Sequence, residues 1–216
     1  MNLASSHLDN GHPAADPENR PWLAIDVDGV ISLFGFDSPP PPETARWELI
    51  DGTPHCLSIA AAERIQRLSD RFELVWATGW QDRANDRLAL LTGIGPLPVI
   101  EFDAHRSPGE ADGPDGSAAV AGEPGAAAGT TAAHWKLDAV TRFCGNRALA
   151  WIDDSFDTSC FEWAASREAA GIPTLLVPTE PEIGFEEAQA AVVADWADSL
   201  GDTADPATPG LGHAAD

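Results

Sequence analysis

Lysine is almost absent from this sequence. Of its 12 Lys and Arg residues only Lys136 is a lysine, and against 35 Asp and Glu residues they leave a formal net charge of −23. A surface this acidic repels phosphate backbones, and we therefore expect no extended nucleic-acid footprint. A single polyanion end could still bind in a local pocket. A lone lysine in a chain that otherwise uses arginine also marks Lys136 as a candidate functional residue.

Long apolar runs and cysteines are scarce as well. No segment approaches the roughly 20 consecutive apolar residues of a membrane span, and the N-terminus lacks the basic-then-apolar order of a signal peptide. We therefore expect a soluble, cytoplasmic protein with no membrane partner. Its 3 cysteines form no CxxC pair, which argues against a disulfide framework and a structural zinc site. We expect these residues to be reduced and partly buried: Cys56, Cys144 and Cys160.

The organisation along the chain indicates one domain with a tail at each end and one insertion. With 216 residues, of which 44% are hydrophobic, the chain is long enough to bury one core. Residues 1–20 and 201–216 are polar and lack an apolar period, so they are predicted disordered tails around a domain at 21–200. Residues 104–133 are rich in Gly, Ala and Pro, which predicts a disordered low-complexity insertion.

Short apolar runs alternate with longer helical patterns between the tails. This alternation predicts an α/β fold, a Rossmann-like doubly wound and mostly parallel sheet. An Asp51-Gly52 pair between β-capable flanks predicts a hairpin within residues 29–58. The predicted strands cover residues 22–27, 72–77, 97–102, 148–152 and 174–177, and the predicted helices cover residues 59–70, 81–91, 134–143, 158–170 and 182–200.

Carboxylates end two of the predicted strands. Asp26 and Asp28 end the first strand in DVDGV, and Asp153 and Asp154 follow ALAWI, with Asp157 one turn further on. Ligands of open α/β sheets bind at the carboxyl ends of strands. Adjacent carboxylates at a buried strand end repel each other unless a cation lies between them, which predicts a hard metal with Mg²⁺ as the natural candidate. A plain turn after the first pair and a helix cap after the second are the alternatives.

Two further positions suit a phosphoryl group. Thr78, followed by Gly79, comes directly after the strand FELVWA, where a hydroxyl and backbone N–H groups can donate to phosphoryl oxygens. An N-cap or a Ser/Thr turn is the alternative for Thr78. Lys136 begins a predicted helix in HWKLDAV, where a compact ammonium charge would neutralise charge beside a transferring phosphate.

Taken in chain order, these four features resemble the haloacid dehalogenase-like (HAD) superfamily of phosphohydrolases over residues 22–200: DVDGV after the first strand, Thr78 after the second, Lys136 at a helix start and Asp153-Asp154 after a later strand. The runs DVDGVIS, ELVWATGWQDRAN, LPVIEF, HWKLDAV, AWIDD and IGF are most similar to the small HAD domain of bacterial RNA-repair ("Swiss army knife") proteins and of stand-alone actinobacterial proteins. Those relatives favour Thr where this chain has Gly79, so the second hydroxyl is missing here.

The resemblance implies a Mg²⁺-dependent phosphatase that works through an aspartyl-phosphate. Asp26 would attack phosphorus, and Asp28 would protonate the leaving oxygen and then activate water. Thr78, Gly79 and Lys136 would bind the phosphoryl oxygens. The residues implied as metal ligands or as their support are Asp26, Asp28 through its backbone carbonyl, Asp153 and Asp154, with Asp157 as the alternative to Asp154.

A cap domain usually selects the substrate in this superfamily, and residues 29–58 predict only a small flap and no full cap. An open pocket suits the phosphorylated end of a large molecule, such as an RNA or DNA terminus or a protein, with a small metabolite as the alternative. Trp80 and Trp47 are candidates to stack on a base, with a core position as the alternative.

The rival classes are a catalytically silent HAD-like binding module and a receiver domain. The order of acids, Thr and Lys in a receiver domain differs from the order found here.

Overall fold

The computed structural model of the protein describes residues 20–102 and 133–202. The predicted tails and insertion lie outside these ranges, apart from residues 20, 133, 201 and 202. A 3-10 helical turn, Ala133–Lys136, leads into the third α-helix. The strands are β1 (Trp22–Ile25), β2 (Ser32–Leu33), β3 (Ala45–Ile50), β4 (Thr53–Ser58), β5 (Glu73–Trp76), β6 (Leu149–Asp153) and β7 (Thr174–Pro178). The helices are α1 (Ile59–Leu68), α2 (Arg83–Thr92), α3 (Leu137–Cys144), α4 (Thr158–Ala169) and α5 (Glu187–Asp202).

The central sheet has four parallel strands in the order β5-β1-β6-β7. Its two middle strands are apolar, apart from Asp153 at the end of β6, because they are covered on both faces, as buried parallel strands are. Outside β5, Val99 adds a single parallel bridge to Trp76. The predicted α/β class is confirmed, and the parallel sheet is compatible with a Rossmann-like fold.

Helices cover both faces of this sheet. One apolar cluster joins Leu23 and Ile25 of β1 to α1, α2 and α5, and a second cluster joins Ala24 of β1 to α3 and α4. Side chains along a strand point alternately to opposite faces, so one short strand supplies both clusters. Within the described residues, none of the helices combines the length and the apolar character needed to cross a membrane.

A small antiparallel sheet, which we call the flap, is formed by residues 32–58 in the strand order β2-β4-β3. Asp51 and Gly52 connect β3 to β4 with φ angles of 52° and 85°, the left-handed pair that a two-residue hairpin turn requires. The hairpin prediction is confirmed. Strand β2, only two residues long, was not predicted, because two residues carry no periodicity.

Three predicted elements are wrong in part. The strand predicted at 97–102 forms only the bridge at Val99, since Pro96 and Pro98 supply no N–H to a ladder. The helix predicted at 182–200 begins at Glu187, because Gly184 adopts a left-handed φ of 77° just before it. The helix predicted at 134–143 is a 3-10 turn over its first residues.

Candidate active site

Aspartate side chains at the ends of β1 and β6 meet at the edge of the central sheet where its parallel strands end. Ile25 and Ile152 are paired neighbours, and the Asp26 N–H donates to the Ile152 carbonyl at 3.0 Å, so the residues that follow emerge side by side. Asp26, Asp153 and Asp154 each place a carboxylate oxygen within 4.8 Å of the other two. The structure thus brings together acidic residues from the two predicted strand ends, which are far apart along the chain.

The only lysine of the chain lies inside this cluster. Lys136 ends the 3-10 turn before α3 and is 4% exposed. Its Nζ donates to Oδ2 of Asp26 and to Oδ2 of Asp153, each at 2.7 Å. A buried ammonium held by two carboxylates is a far more specific environment than the solvated helix face that a lone lysine usually occupies.

The electrostatics of the cluster leave an excess of negative charge. Burial lowers the pKa of Lys136, but Asp26 and Asp153 outweigh burial and hold its pKa above the ordinary value. One ammonium faces three carboxylates here. Burial, and after it the charge of Asp26, raise the pKa of Asp153, and burial with a smaller contribution from Asp26 raises the pKa of Asp154. Like charges in a buried site disfavour ionisation unless a cation joins them.

Ser155 supports the carboxylates of Asp153 and Asp154, a role that was not predicted. Its backbone N–H donates to Oδ1 of Asp153 at 3.0 Å, and its hydroxyl donates to Oδ1 of Asp154 at 2.8 Å. These hydrogen bonds fix the orientation of both carboxylates. A serine after two aspartates is a common turn residue, so the sequence offered no signal that separates this role from a plain turn.

Gly29 makes the cluster sterically possible. Its φ is 69°, and a Cβ built there would lie 2.4 Å from Cγ and 2.5 Å from Cβ of Asp154. Glycine is therefore required for both the left-handed backbone and the close approach of Asp154. The turn glycine was visible in the sequence, but its distant partner was not.

The loop after β7 holds the loop after β1 in place. The Thr179 hydroxyl donates to the Gly29 carbonyl at 2.9 Å, and the Phe185 N–H donates to the Val30 carbonyl at 3.1 Å. Gly184 packs so closely that a Cβ there would lie 2.6 Å from the Val30 carbonyl oxygen. The IGF run is thus a structural support for the segment that carries the acidic residues.

Asp28 points to a tryptophan and lies apart from the three-carboxylate cluster. Its Oδ2 accepts a hydrogen bond of 2.8 Å from Nε1 of Trp80. Burial, and after it the charge of Asp26, raise the pKa of Asp28 to about 6, while Trp80 and Lys136 act in the opposite direction. A carboxyl group of this kind holds a proton more readily than an ordinary aspartate does.

Three other predicted site residues, Gly79, Thr78 and Asp157, lie outside the carboxylate cluster. Gly79 lines the cavity described below, but Thr78 is fully buried and its Oγ1 accepts the Trp80 N–H at 3.3 Å, which is the Ser/Thr-turn alternative. Contact between Thr78 and a phosphoryl group stays a prediction. Asp157 caps α4 by accepting the N–H groups of Ser159 and Cys160, so Asp154 and not Asp157 joins the carboxylate cluster.

A cavity of about 550 Å³ opens beside the cluster. This volume lies within the range of small-ligand sites. The flap supplies part of its wall, through Phe34, Pro54 and His55. Trp80 lines the cavity but is only 7% exposed, and Trp47, 56% exposed on the flap, is not among the described residues that line it. The predicted site residues on the wall are Asp26, Asp28, Gly79, Lys136 and Asp154.

The donor set suits a hard divalent cation. Carboxylate oxygens are the ligands that Mg²⁺ prefers in proteins, and Asp26, Asp153 and Asp154 offer one oxygen each at mutual distances that a single ion can span. Asp26 and Asp153 are buried, unlike the exposed acidic groups that commonly occur without a metal. The excess negative charge of the cluster is the second feature that a cation would relieve.

Neither the models of known protein families nor the curated proteins contain a match to this sequence.

Proposed function

We propose that the protein is a Mg²⁺-dependent phosphomonoester hydrolase of the HAD type, with Asp26 as the nucleophile. The observation that supports this most is the meeting of Asp26, Asp153 and Asp154 around the buried Lys136, at the carboxyl edge of a parallel sheet. Open α/β sheets place their ligands at this edge, and the cavity beside the cluster gives a substrate access to it.

The nucleophile is held ready by its neighbours. Oδ1 of Asp26 accepts the Val27 N–H at 2.7 Å and Oδ2 accepts from Lys136. Both bonds fix the direction of the carboxylate, as in-line attack on phosphorus requires. Lys136 would also stabilise the charge on the phosphoryl oxygens as the transition state forms.

Asp28 is proposed as the acid and base of the two steps. As the bond from Asp26 to phosphorus forms and the ester bond breaks, Asp28 gives its proton to the leaving oxygen. It then takes a proton from water, whose oxygen attacks phosphorus and releases Asp26 and inorganic phosphate. A carboxyl group in a partly apolar wall, separate from the three-carboxylate cluster, suits this exchange.

Mg²⁺ is the proposed cofactor, held by Asp26, Asp153 and Asp154, with the Asp28 backbone carbonyl as the further ligand that the HAD resemblance implies. When bound, it offsets the repulsion between the attacking carboxylate and the phosphoryl oxygens. The backbone at Thr78 and Gly79 is proposed to bind those oxygens, with Gly79 on the cavity wall.

The physiological substrate is proposed to be a phosphorylated molecule that enters past the flap. A phosphorylated RNA or DNA end, a small metabolite and a phosphoprotein are the three candidates. The net charge of −23 weighs against the nucleic-acid end. A panel of phosphorylated oligonucleotide ends, sugar phosphates and phosphopeptides separates them by their relative kcat/KM.

Hydrolysis of p-nitrophenyl phosphate tests the proposal. Wild type is expected to be active with Mg²⁺ and inactive with EDTA, and Asp26→Asn is expected to lose activity by at least about 10³-fold. Asp70→Asn, which removes an exposed carboxylate far along the chain, is the matched control and should stay active. If wild type and Asp26→Asn share the same trace rate, the enzyme proposal is wrong and a silent binding module is left.

A further inference from the structure

Trp80 makes a hydrogen bond that the proposed chemistry does not yet explain. It follows β5, lies in the cavity wall and is 7% exposed, and its Nε1 lies 2.8 Å from Oδ2 of Asp28. An indole N–H can only donate, so its partner is held as an acceptor through that one oxygen. A buried indole N–H usually finds an acceptor, and here that acceptor is the carboxyl group proposed as the acid.

The direction of this indole is fixed from three sides. The ring of His55 on β4 packs edge-on against it, with centroids 4.9 Å apart, and the Arg83 guanidinium of α2 lies 5.7 Å from its centroid. Its own backbone N–H is held by the Thr78 hydroxyl. His55 is anchored in turn, because its Nδ1 and the Ser32 Oγ are 2.9 Å apart.

These contacts argue against Trp80 stacking on a base and favour a role in orienting the Asp28 carboxyl group. A base stacks on an exposed aromatic face, and a ring that is 7% exposed and packed by His55 and Arg83 offers little face for stacking. A rigid donor bonded to a carboxyl group is instead the arrangement that holds an acid in one orientation. Misplacing such a group by about 1 Å costs on the order of 10²-fold in rate.

We propose that Trp80 is a positioning residue, which holds the Asp28 carboxyl towards the leaving oxygen and so fits the site to alkyl phosphate monoesters. This inference rests on the proposed phosphatase function. An alkoxide is a poor leaving group and must receive a proton as the ester bond breaks, whereas p-nitrophenolate leaves without one. An enzyme that fixes its acid with a dedicated hydrogen bond is therefore built for alcohols as leaving groups.

The test compares two leaving groups in Trp80→Phe. We expect kcat/KM for β-glycerol phosphate to fall by about 10-fold or more, and that for p-nitrophenyl phosphate to fall by less than about 3-fold. Trp163→Phe, which removes an indole N–H that donates to the Thr141 hydroxyl at two residues that do not line the cavity, is the matched control and should alter neither. In Asp28→Asn the further change Trp80→Phe should add nothing, because the group it positions is gone.

A second variant keeps the test valid if Trp80→Phe folds poorly. Replacing Trp80 by β-(3-benzothienyl)alanine preserves the bicyclic shape and removes only the N–H, so it should show the same selective loss. Equal losses on both substrates in either variant would overturn the proposal, because they indicate a merely structural ring. A wild type that is inactive on every phosphate ester would instead overturn the phosphatase function, and this inference with it.

Discussion

Replacing Gly29 by alanine tests whether Asp154 takes part in the proposed Mg²⁺ site. The change has two consequences that the structure separates. A left-handed φ of 69° costs an L-residue about 1–2 kcal/mol. The new Cβ would also lie 2.4 Å from Cγ and 2.5 Å from Cβ of Asp154, far inside the roughly 3.5–4.0 Å of a normal carbon contact. Since the Cβ of Asp154 itself is in the way, rotating its side chain cannot remove the clash.

Gly171→Ala is the matched control for the backbone cost. Gly171 has a φ of 76°, and a Cβ there would have nothing within 4 Å. The two variants should lose similar stability from the backbone, but only Gly29→Ala should displace Asp154. Disturbing a carboxylate at a metal site typically weakens binding by about 10–100-fold, and each factor of ten is about 1.4 kcal/mol.

The assay follows the melting temperature by tryptophan fluorescence as Mg²⁺ is added. At about 100 times the dissociation constant, Mg²⁺ should stabilise wild type by about 2.7 kcal/mol, or roughly 5–10 °C for a chain of this size. The same concentration is only about 10 times a tenfold weaker constant, so Gly29→Ala should gain about 1.4 kcal/mol, roughly 3–6 °C. Gly171→Ala should respond as wild type does. The reasoning is refuted if Gly29→Ala binds Mg²⁺ as tightly as Gly171→Ala.

Three further predictions concern buried groups. Lys136→Met should lower the free energy of unfolding by about 3–5 kcal/mol in urea denaturation with EDTA, because it leaves buried carboxylates without their cation, and Mg²⁺ should restore part of the loss. Gly184→Ala should cost about 1–3 kcal/mol more than Gly171→Ala, since its Cβ meets the Val30 carbonyl. Burial raises the pKa of Cys144 to about 12 and that of Cys160 to about 11, so at pH 8 a thiol reagent should label the native protein slowly and the unfolded protein at every cysteine.

Each of these three predictions would be contradicted by a specific result. A loss below about 1 kcal/mol in Lys136→Met would mean that the ammonium contributes no more than an exposed ion pair does. Equal melting temperatures for Gly184→Ala and Gly171→Ala would contradict the close approach of the two loops. Rapid labelling of native protein would show that the thiols are accessible, and a labelling rate that stops rising near pH 9 would place their pKa near the ordinary value.

The order and type of the main elements could be predicted because their signals are local. Apolar runs located the four parallel strands, and Asp51-Gly52 located the hairpin of the flap. Prediction failed where distant contacts decide. The start of α5 depends on a tight approach of Gly184 to another loop. The strand predicted at 97–102 is limited by a local feature instead, because Pro96 and Pro98 before Val99 supply no N–H to a ladder.

The acidic residues of the site could also be predicted, because strand ends of a parallel sheet meet at one edge. Asp26, Asp153 and Asp154 converge as expected, with Lys136 between two of them. The sequence could not show which groups hold them. The hydrogen bond from Trp80 to Asp28 joins residues from different elements, and no local pattern encodes such a pair.

Trapping the phosphorylated enzyme tests the central claim most directly. Borohydride reduces an aspartyl-phosphate to homoserine, which peptide mass spectrometry can locate. We expect residue 26 to be converted when wild type turns over p-nitrophenyl phosphate with Mg²⁺. Conversion should be more complete in Asp28→Asn, because this leaving group needs no proton while the variant lacks the base for the second step. Catalytic turnover with no conversion at residue 26, or with conversion at another carboxylate, would contradict the account.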